Sequence, residues 1–135
     1  MSLITWNDTM SVNVKEIDDQ HKKLISLINE LHEWIQNGEK KDFLGDMLEE
    51  LINYTRYHFS AEERRMKQFS YIGYVAHKHE HDDFTEKVLS LKEKYDKGQS
   101  AISSEVSSFL KDWLTNHILG TDKKYTPFFN SKGIA

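Results

Sequence analysis

The sequence predicts an all-α fold: an up-down-up-down antiparallel four-helix bundle with an irregular N-terminal arm and a short C-terminal tail. Apolar residues recur with the period of an α-helix in four stretches, and no stretch shows the alternation of apolar and polar residues that is typical of a β-strand. The breaks between the stretches are too short for long crossover connections, so consecutive helices should run antiparallel. The single proline, Pro127, falls after the last stretch and breaks no helix before the tail.

The first two helices are predicted at about residues 18–37 and about residues 42–69. Asp18 and Asp42 are suitable N-caps, and Asn37 with Gly38 would end the first helix. The inward stripe of helix one is apolar: Leu24, Ile25, Leu27, Ile28, Leu31, Trp34 and Ile35. The inward stripe of helix two is mostly apolar but also contains a threonine, a histidine and a glutamate. It consists of Leu44, Met47, Leu48, Leu51, Thr55, His58, Glu62, Met66 and Phe69.

The other two helices are predicted at about residues 74–97 and about residues 100–120. Gly98 would end the third helix, and the fourth would start near Ser100. The stripe of helix three is His77, His81, Phe84, Val88, Leu91 and Tyr95. The stripe of helix four is Ile102, Val106, Phe109, Leu110, Trp113, Leu114, His117 and Ile118. A polar-aromatic tail follows from Thr121 to Ala135.

Composition indicates an ordinary one-domain protein and excludes several classes of function. The 135 residues are 38% hydrophobic and 30% charged, with a net charge of −4. The chain lacks the cluster of basic residues that is typical of nucleic-acid binding, and no apolar run approaches the ~20 residues that span a membrane. The absence of cysteine excludes disulfides, iron–sulfur clusters and thiolate metal sites. The N-terminus has no pattern of a secretory signal, so a cytoplasmic location is expected.

Five histidines and one glutamate fall on inward faces of the predicted helices: His21, His58, His77, His81, His117 and Glu62. Titratable side chains rarely occupy a core face unless they are paired or bind a metal. A four-residue step turns a helix by roughly 400°, so His58 stacks on Glu62, and His77 stacks on His81. In an antiparallel bundle all these positions lie at matching helix ends. We therefore expect one cluster at one end of the core.

The two remaining histidines serve as internal controls. His79 lies two residues from His77, roughly 200° around the helix, and should face solvent. His32 lies eleven residues after His21, roughly 16 Å along the axis. That is too far to join the cluster, so we expect His32 to be packed or hydrogen-bonded lower in the bundle.

The donor types leave the identity of the metal open. Histidine and carboxylate without thiolate suit iron, zinc, manganese or copper. Five imidazoles and one glutamate are too many for a single metal with an open position, but they fit two metals, for which a second, bridging carboxylate is wanted. Asp122 is the candidate, although five residues after His117 it lies roughly 140° off that helix face. It can join only if the helix ends or loosens into a wider π-type turn, to which Gly120 and Thr121 are suited.

Taken together, these positions resemble the complete ligand pattern of the hemerythrins, most of all the bacterial single-domain branch, the bacteriohemerythrins. The pattern comprises His21, His58 with Glu62, His77 with His81, and His117 with Asp122. The flanking sequences IDDQHKKL at 17–24 and WLTNHI at 113–118 strengthen it. The resemblance covers the chain from Trp6 to about Phe129.

The resemblance implies one hemerythrin-like domain over residues 1–135 with a non-haem di-iron centre. His77, His81 and His117 would bind one iron, and His21 and His58 would bind the other. Glu62, Asp122 and an oxo or hydroxo group would bridge the two irons. Dioxygen would bind reversibly at the vacant position on the second iron, as in a protein for carriage, storage or delivery.

Family position also implies an apolar oxygen pocket formed by Phe59, Trp113, Leu114 and Ile118, while Trp6 and Tyr125 would close the end of the bundle. Dioxygen is the expected partner and nitric oxide a second one; no protein partner is indicated. The alternatives are an oxygen- or nitric-oxide-sensing module, and a di-iron oxidase or detoxification enzyme. An enzyme is not expected, because the inward sites lack the Glu-x-x-His pairs of carboxylate-rich di-iron proteins.

Overall fold

The structure, a computed structural model, describes residues 4–36, 41–96 and 104–135, and the side chains of 41–44, 94–95 and 104–106 are not described. Four long helices are observed: α1 (Lys15–Gln36), α2 (Lys41–Gln68), α3 (Tyr74–Asp96) and α4 (Ser104–Asn116). The N-terminal arm contains a short 3₁₀ turn at Asp8–Met10. Beyond α4 the chain forms a π-helical turn (His117–Thr121), a 3₁₀ turn (Asp122–Tyr125) and a short helix, α5 (Thr126–Ser131).

The four long helices form a bundle around an apolar core, which confirms the predicted fold class. Helix α2 packs against both α1 and α3, and α1 packs against α4. The inward stripes supply the core, which includes Leu24, Ile28, Leu31, Leu48, Leu51, Phe84, Val88, Leu110 and Leu114. Burying each such side chain stabilises the fold by about 1.5–3 kcal/mol. None of the helices in the described part of the chain is both long and apolar enough to cross a membrane.

The predicted start of the first helix was wrong. Helix α1 begins at Lys15, so Asp18 lies within its first turn and is not the N-cap. The Asp18 carboxylate instead ties down the arm, because it accepts hydrogen bonds from the Ser11 hydroxyl at 2.6 Å and from the Val12 backbone N–H at 2.8 Å. An aspartate at this position is typical of a helix N-cap, but here its carboxylate accepts hydrogen bonds from the segment that precedes the helix.

The described residues of α3 and the end of α2 at Gln68 agree with the prediction to within one residue. The fourth helix, predicted to end near 120, is α-helical only to Asn116 and continues as a π turn. Several other predicted positions lie outside the described residues. Residues Asn37, Gly38, Gly98, Ser100 and Ile102 lie outside the described residues. The same holds for the side chains of Asp42, Leu44, Tyr95 and Val106.

The C-terminal tail is helical and closes one end of the bundle. Tyr125 and Phe129 are fully buried in a second apolar cluster that also contains Val12, Val14, Ile17 and Met66. The arm meets the tail directly, because the Thr126 hydroxyl donates to the Val12 carbonyl at 2.8 Å. Pro127 sits at the start of α5, where its missing N–H costs no hydrogen bond. Trp6 is half-buried and packs against the main core.

Asp18→Ala should lower the free energy of unfolding by about 1–3 kcal/mol, because it leaves the buried Val12 N–H without its acceptor. Urea titration followed by circular dichroism measures the change. The neighbouring Asp19→Ala removes only an ion pair between exposed side chains, Lys15 and Asp19, and should leave the transition unchanged. Equal losses in the two variants would contradict a role of Asp18 in fixing the arm.

Candidate metal centre

Seven buried titratable side chains from every long segment of the bundle meet at one end of the core. Helix α1 contributes one histidine, α2 a histidine and a glutamate, α3 two histidines, and the turns after α4 a histidine and an aspartate. They form two overlapping groups that could each hold a metal ion: Glu62, His77, His81, His117 and Asp122; and His21, His58 and Glu62. All seven are at most 3% exposed.

The Asp122 carboxylate lies between the two groups of histidines. Its Oδ1 atom is 2.8 Å from His77 Nε2 and 3.0 Å from His117 Nε2. Its Oδ2 atom is 3.0 Å from His21 Nε2. Each oxygen therefore faces a different group, which is the arrangement of a carboxylate that joins two metal positions.

The Glu62 carboxylate also reaches both groups. Its Oε1 atom is 2.7 Å from His58 Nε2 and 3.8 Å from His81 Nε2, and Oε2 is 4.0 Å from His77 Nε2. The phenol of Tyr125 donates a hydrogen bond of 2.6 Å to Oε2. Burial raises the pKa of Tyr125 well above its usual value, so the phenol stays protonated and remains a donor.

The position of Asp122 depends on a local change of helix type. Residues His117–Thr121 form a π-helical turn, and the Asp122 N–H donates to the carbonyls of His117 and Ile118. The wider turn brings a side chain five residues after His117 back to the same face, as an α-helix would not. Of the two possibilities that the sequence left open, a helix end or a π-type turn, the structure has the π-type turn.

The donor atoms fit a cation, since several of them have no other satisfied arrangement. His58, His81 and His117 each donate a hydrogen bond through Nδ1, so in the neutral imidazoles the Nε2 lone pairs point inward. His81 Nε2 and His117 Nε2 lie 3.1 Å apart. Six other atoms of the centre make no hydrogen bond of acceptable geometry in the described part of the chain: both ring nitrogens of His21, His77 Nε2, Glu62 Oε1 and both Asp122 oxygens. Imidazole lone pairs and carboxylates repel one another when they are buried face to face, so a positive charge between them is needed to stabilise the arrangement.

Without a metal, protons take the place of this positive charge. Burial and Asp122 raise the pKa of Glu62, but His58 and His81 outweigh them and lower it to about 2. Burial lowers the pKa of His117, but Asp122 and Glu62 raise it to about 9. A metal ion that binds here must displace such protons from the imidazoles.

Three polar residues orient the histidines from outside the cluster. His58 Nδ1 donates to the Gln20 amide oxygen at 2.6 Å, His81 Nδ1 to Glu63 at 2.9 Å, and His117 Nδ1 to Glu80 at 3.0 Å. Sequence reasoning missed these partners and also the Tyr125–Glu62 hydrogen bond. A usable signal existed, because Gln20, Glu63 and Glu80 each lie next to a cluster residue, and metal-binding histidines commonly donate their second N–H to a carboxylate or carbonyl.

Two of the four residues expected to form an apolar pocket stack on histidines of the centre, and the other two belong to the adjoining apolar core. The Phe59 ring stacks on His81, with centroids 3.8 Å apart, and the Trp113 ring stacks on His117 at 4.3 Å. Leu114 and Ile118 are buried in the same core cluster. This side of the histidine cluster is therefore covered by hydrocarbon.

The two control histidines lie outside both groups. The His79 side chain is 75% exposed and 3.4 Å from Asp83, which confirms the predicted helical phase. His32 is half-buried, and its Nδ1 atom has no hydrogen-bond partner among the described residues. His32 is therefore packed rather than hydrogen-bonded through that atom.

Known proteins share both the sequence and the fold of this chain. The family model of the hemerythrin HHE cation binding domain matches residues 12–129. The bacteriohemerythrin of Methylococcus capsulatus is 36% identical over 128 residues, which cover 94% of this chain and 97% of that protein. That of Clostridium acetobutylicum is 33% identical over 127 residues, covering 91% and 98%. A crystal structure of wild-type hemerythrin, 35% identical, superposes with a TM-score of 0.89 and covers 93% of this chain and 97% of its own. With this match over most of its length and the buried cluster in place, the chain belongs to the hemerythrin HHE cation binding domain family.

Proposed function

We propose that this chain binds dioxygen reversibly at a centre of two iron ions. Seven side chains would hold the irons: His21, His58, Glu62, His77, His81, His117 and Asp122. The observation that carries the proposal is the convergence of five histidine Nε2 atoms on two buried carboxylates, with the two Asp122 oxygens facing different histidine groups. A single metal ion could not use so many donors and still keep an open position.

The two metal positions have unequal numbers of protein ligands. His77, His81 and His117 would serve one position, and His21 and His58 the other. Glu62 belongs to both groups, and Asp122 of the larger group reaches His21 through Oδ2, so both carboxylates would be shared. The position beside His21 and His58 therefore has one protein ligand fewer and is where a small molecule would bind. A bound pair of ferrous ions would supply the two electrons that dioxygen takes up on binding and returns on release.

The donor set favours reversible binding over oxidation of a substrate. The proposed ligand set has five imidazoles and two carboxylates, whereas in ferritin-like di-iron proteins each of four helices contributes a glutamate ligand. A neutral imidazole supports the ferrous state better than an anionic carboxylate does. This balance supports a carrier or store rather than an oxidase.

The apolar wall protects such a centre from water. Phe59 and Trp113 stack on His81 and His117. Leu114 and Ile118, which are 4% and 0% exposed, belong to the apolar core that Phe59 and Trp113 join. Excluding water keeps protons from the bound oxygen species, and this slows its irreversible loss. The wall would admit dioxygen and also nitric oxide, because both are small and uncharged.

Reversible oxygenation can be tested directly on the purified protein. Iron-replete protein should contain about two irons per chain. After reduction, air should produce a ligand-to-iron charge-transfer band that disappears under argon and returns over several cycles. A protein with almost no iron would contradict the di-iron proposal, whereas immediate, irreversible oxidation with release of peroxide would favour an oxidase.

His58→Ala should lower the iron content to about one per chain and abolish oxygen binding, because the smaller histidine group loses half of its imidazoles. His79→Ala is the matched control on an exposed histidine and should retain both properties. Metal analysis and the oxygenation spectrum measure the two variants. Loss of oxygen binding in the His79 variant would contradict the assignment of the ligands.

Leu114→Asn should shorten the lifetime of the oxygenated form by roughly ten-fold, because a polar side chain brings water into the apolar wall. Leu114→Met keeps volume and apolar character, and should leave the lifetime within a factor of a few. The decay of the oxygenated spectrum measures both variants. Equal lifetimes in the asparagine and methionine variants would show that Leu114 does not shield the centre.

A further inference from the structure

The proposed ligand role of Asp122 depends on the π-helical turn at His117–Thr121. In a continuous α-helix Asp122 would point roughly 140° away from His117. A π turn is a rare conformation that appears mainly as a single turn within α-helices. A contact from outside the turn is therefore needed to explain why this conformation is favoured here.

Gly120 does not provide the explanation. Among the described glycines only Gly133 has a positive φ, so Gly120 adopts no backbone conformation that requires a glycine. A Cβ atom added at Gly120 would meet no heavy atom within 4 Å. Alanine therefore fits this position as well as glycine does.

The Glu80 carboxylate contacts both ends of the turn. Its Oε1 atom accepts a hydrogen bond from His117 Nδ1 at 3.0 Å and lies 2.8 Å from the Thr121 hydroxyl, which is 2.9 Å from Oε2. Glu80 belongs to α3 and directly precedes His81. The first and last residues of the turn are thus both fixed to a helix that carries two of the histidines.

We propose that the Thr121–Glu80 hydrogen bond holds the π turn in place and thereby positions Asp122 between the two metal positions. Thr121 is a positioning residue, because its hydroxyl contacts neither metal position and acts through Asp122. A hydrogen bond to a carboxylate is among the stronger kinds in proteins, so losing it should release the turn. This inference rests on the proposed di-iron function.

Thr121→Val keeps the shape of the side chain and removes only the hydroxyl. Without a fixed Asp122, the position beside His21 and His58 retains three protein ligands, and the other position retains four. The second iron should therefore bind about 10–100-fold more weakly, as is typical when an outer contact of a metal site is lost. Anaerobic ferrous-iron titration against a chelator measures both affinities, and X-ray absorption measures the iron–iron scattering.

Three control variants separate positioning from general damage. Thr121→Ser restores the hydroxyl and should recover wild-type affinity for the second iron. Gly120→Ala should leave both affinities unchanged. In a Glu80→Ala background the further change Thr121→Val should add nothing, because both substitutions remove the same hydrogen bond.

A metal-free measurement keeps the inference testable if a variant loads iron poorly. The Asp122 amide of the metal-free protein should exchange its hydrogen faster in Thr121→Val, while amides in α2 and α3 exchange as in the wild type. Wild-type affinity for the second iron in Thr121→Val, or an equal loss in Gly120→Ala, would overturn the inference while leaving the di-iron function intact. Fewer than two irons in the wild-type protein would overturn the function and this inference together.

Discussion

The burial of two carboxylates among five imidazoles is the constraint on which the rest of the bundle depends. Glu62 and Asp122 are each 0% exposed. Burying an unpaired carboxylate destabilises the folded protein by far more free energy than a single apolar contact contributes. The Phe59 ring covers His81 on one side, and the Tyr125 ring covers His77 on another. Because the two apolar clusters keep solvent away, the compensating positive charge must be a proton or a metal held within the site.

Helical phase explains why so much of the centre could be predicted from the sequence. Spacings of four residues place His58 over Glu62 and His77 over His81, and antiparallel packing brings the helix ends to one level. Asp122 marks the limit of this reasoning, because a spacing of five requires a turn that a regular helix does not have. The sequence indicated that the helix had to end or widen into a π turn, but it could not reveal the contact with Glu80, which lies on another helix.

The features that sequence reasoning missed are contacts between distant segments. Tyr125 reaches Glu62 across 63 positions of the chain, and the segment from Thr121 onward is too short to show a periodic stripe. Asp18 misled the prediction because an aspartate near a helix start can accept hydrogen bonds from the helix or from the preceding arm. Residue type alone does not distinguish these two roles, whereas the packing of the arm against the tail does.

The residues that accept hydrogen bonds from the histidine Nδ1 atoms differ between the group of three imidazoles and the group of two. His81 and His117 each donate to a carboxylate, Glu63 or Glu80, whereas His58 donates to the neutral amide of Gln20. A carboxylate partner raises the basicity of the imidazole that donates to it. The larger group therefore contains two imidazoles that a carboxylate makes more basic. In the smaller group His58 donates to an amide, and His21 Nδ1 has no partner among the described residues. In the proposed di-iron centre, the protein would support the metal least at the position beside His21 and His58, which would favour binding of an exchangeable ligand there.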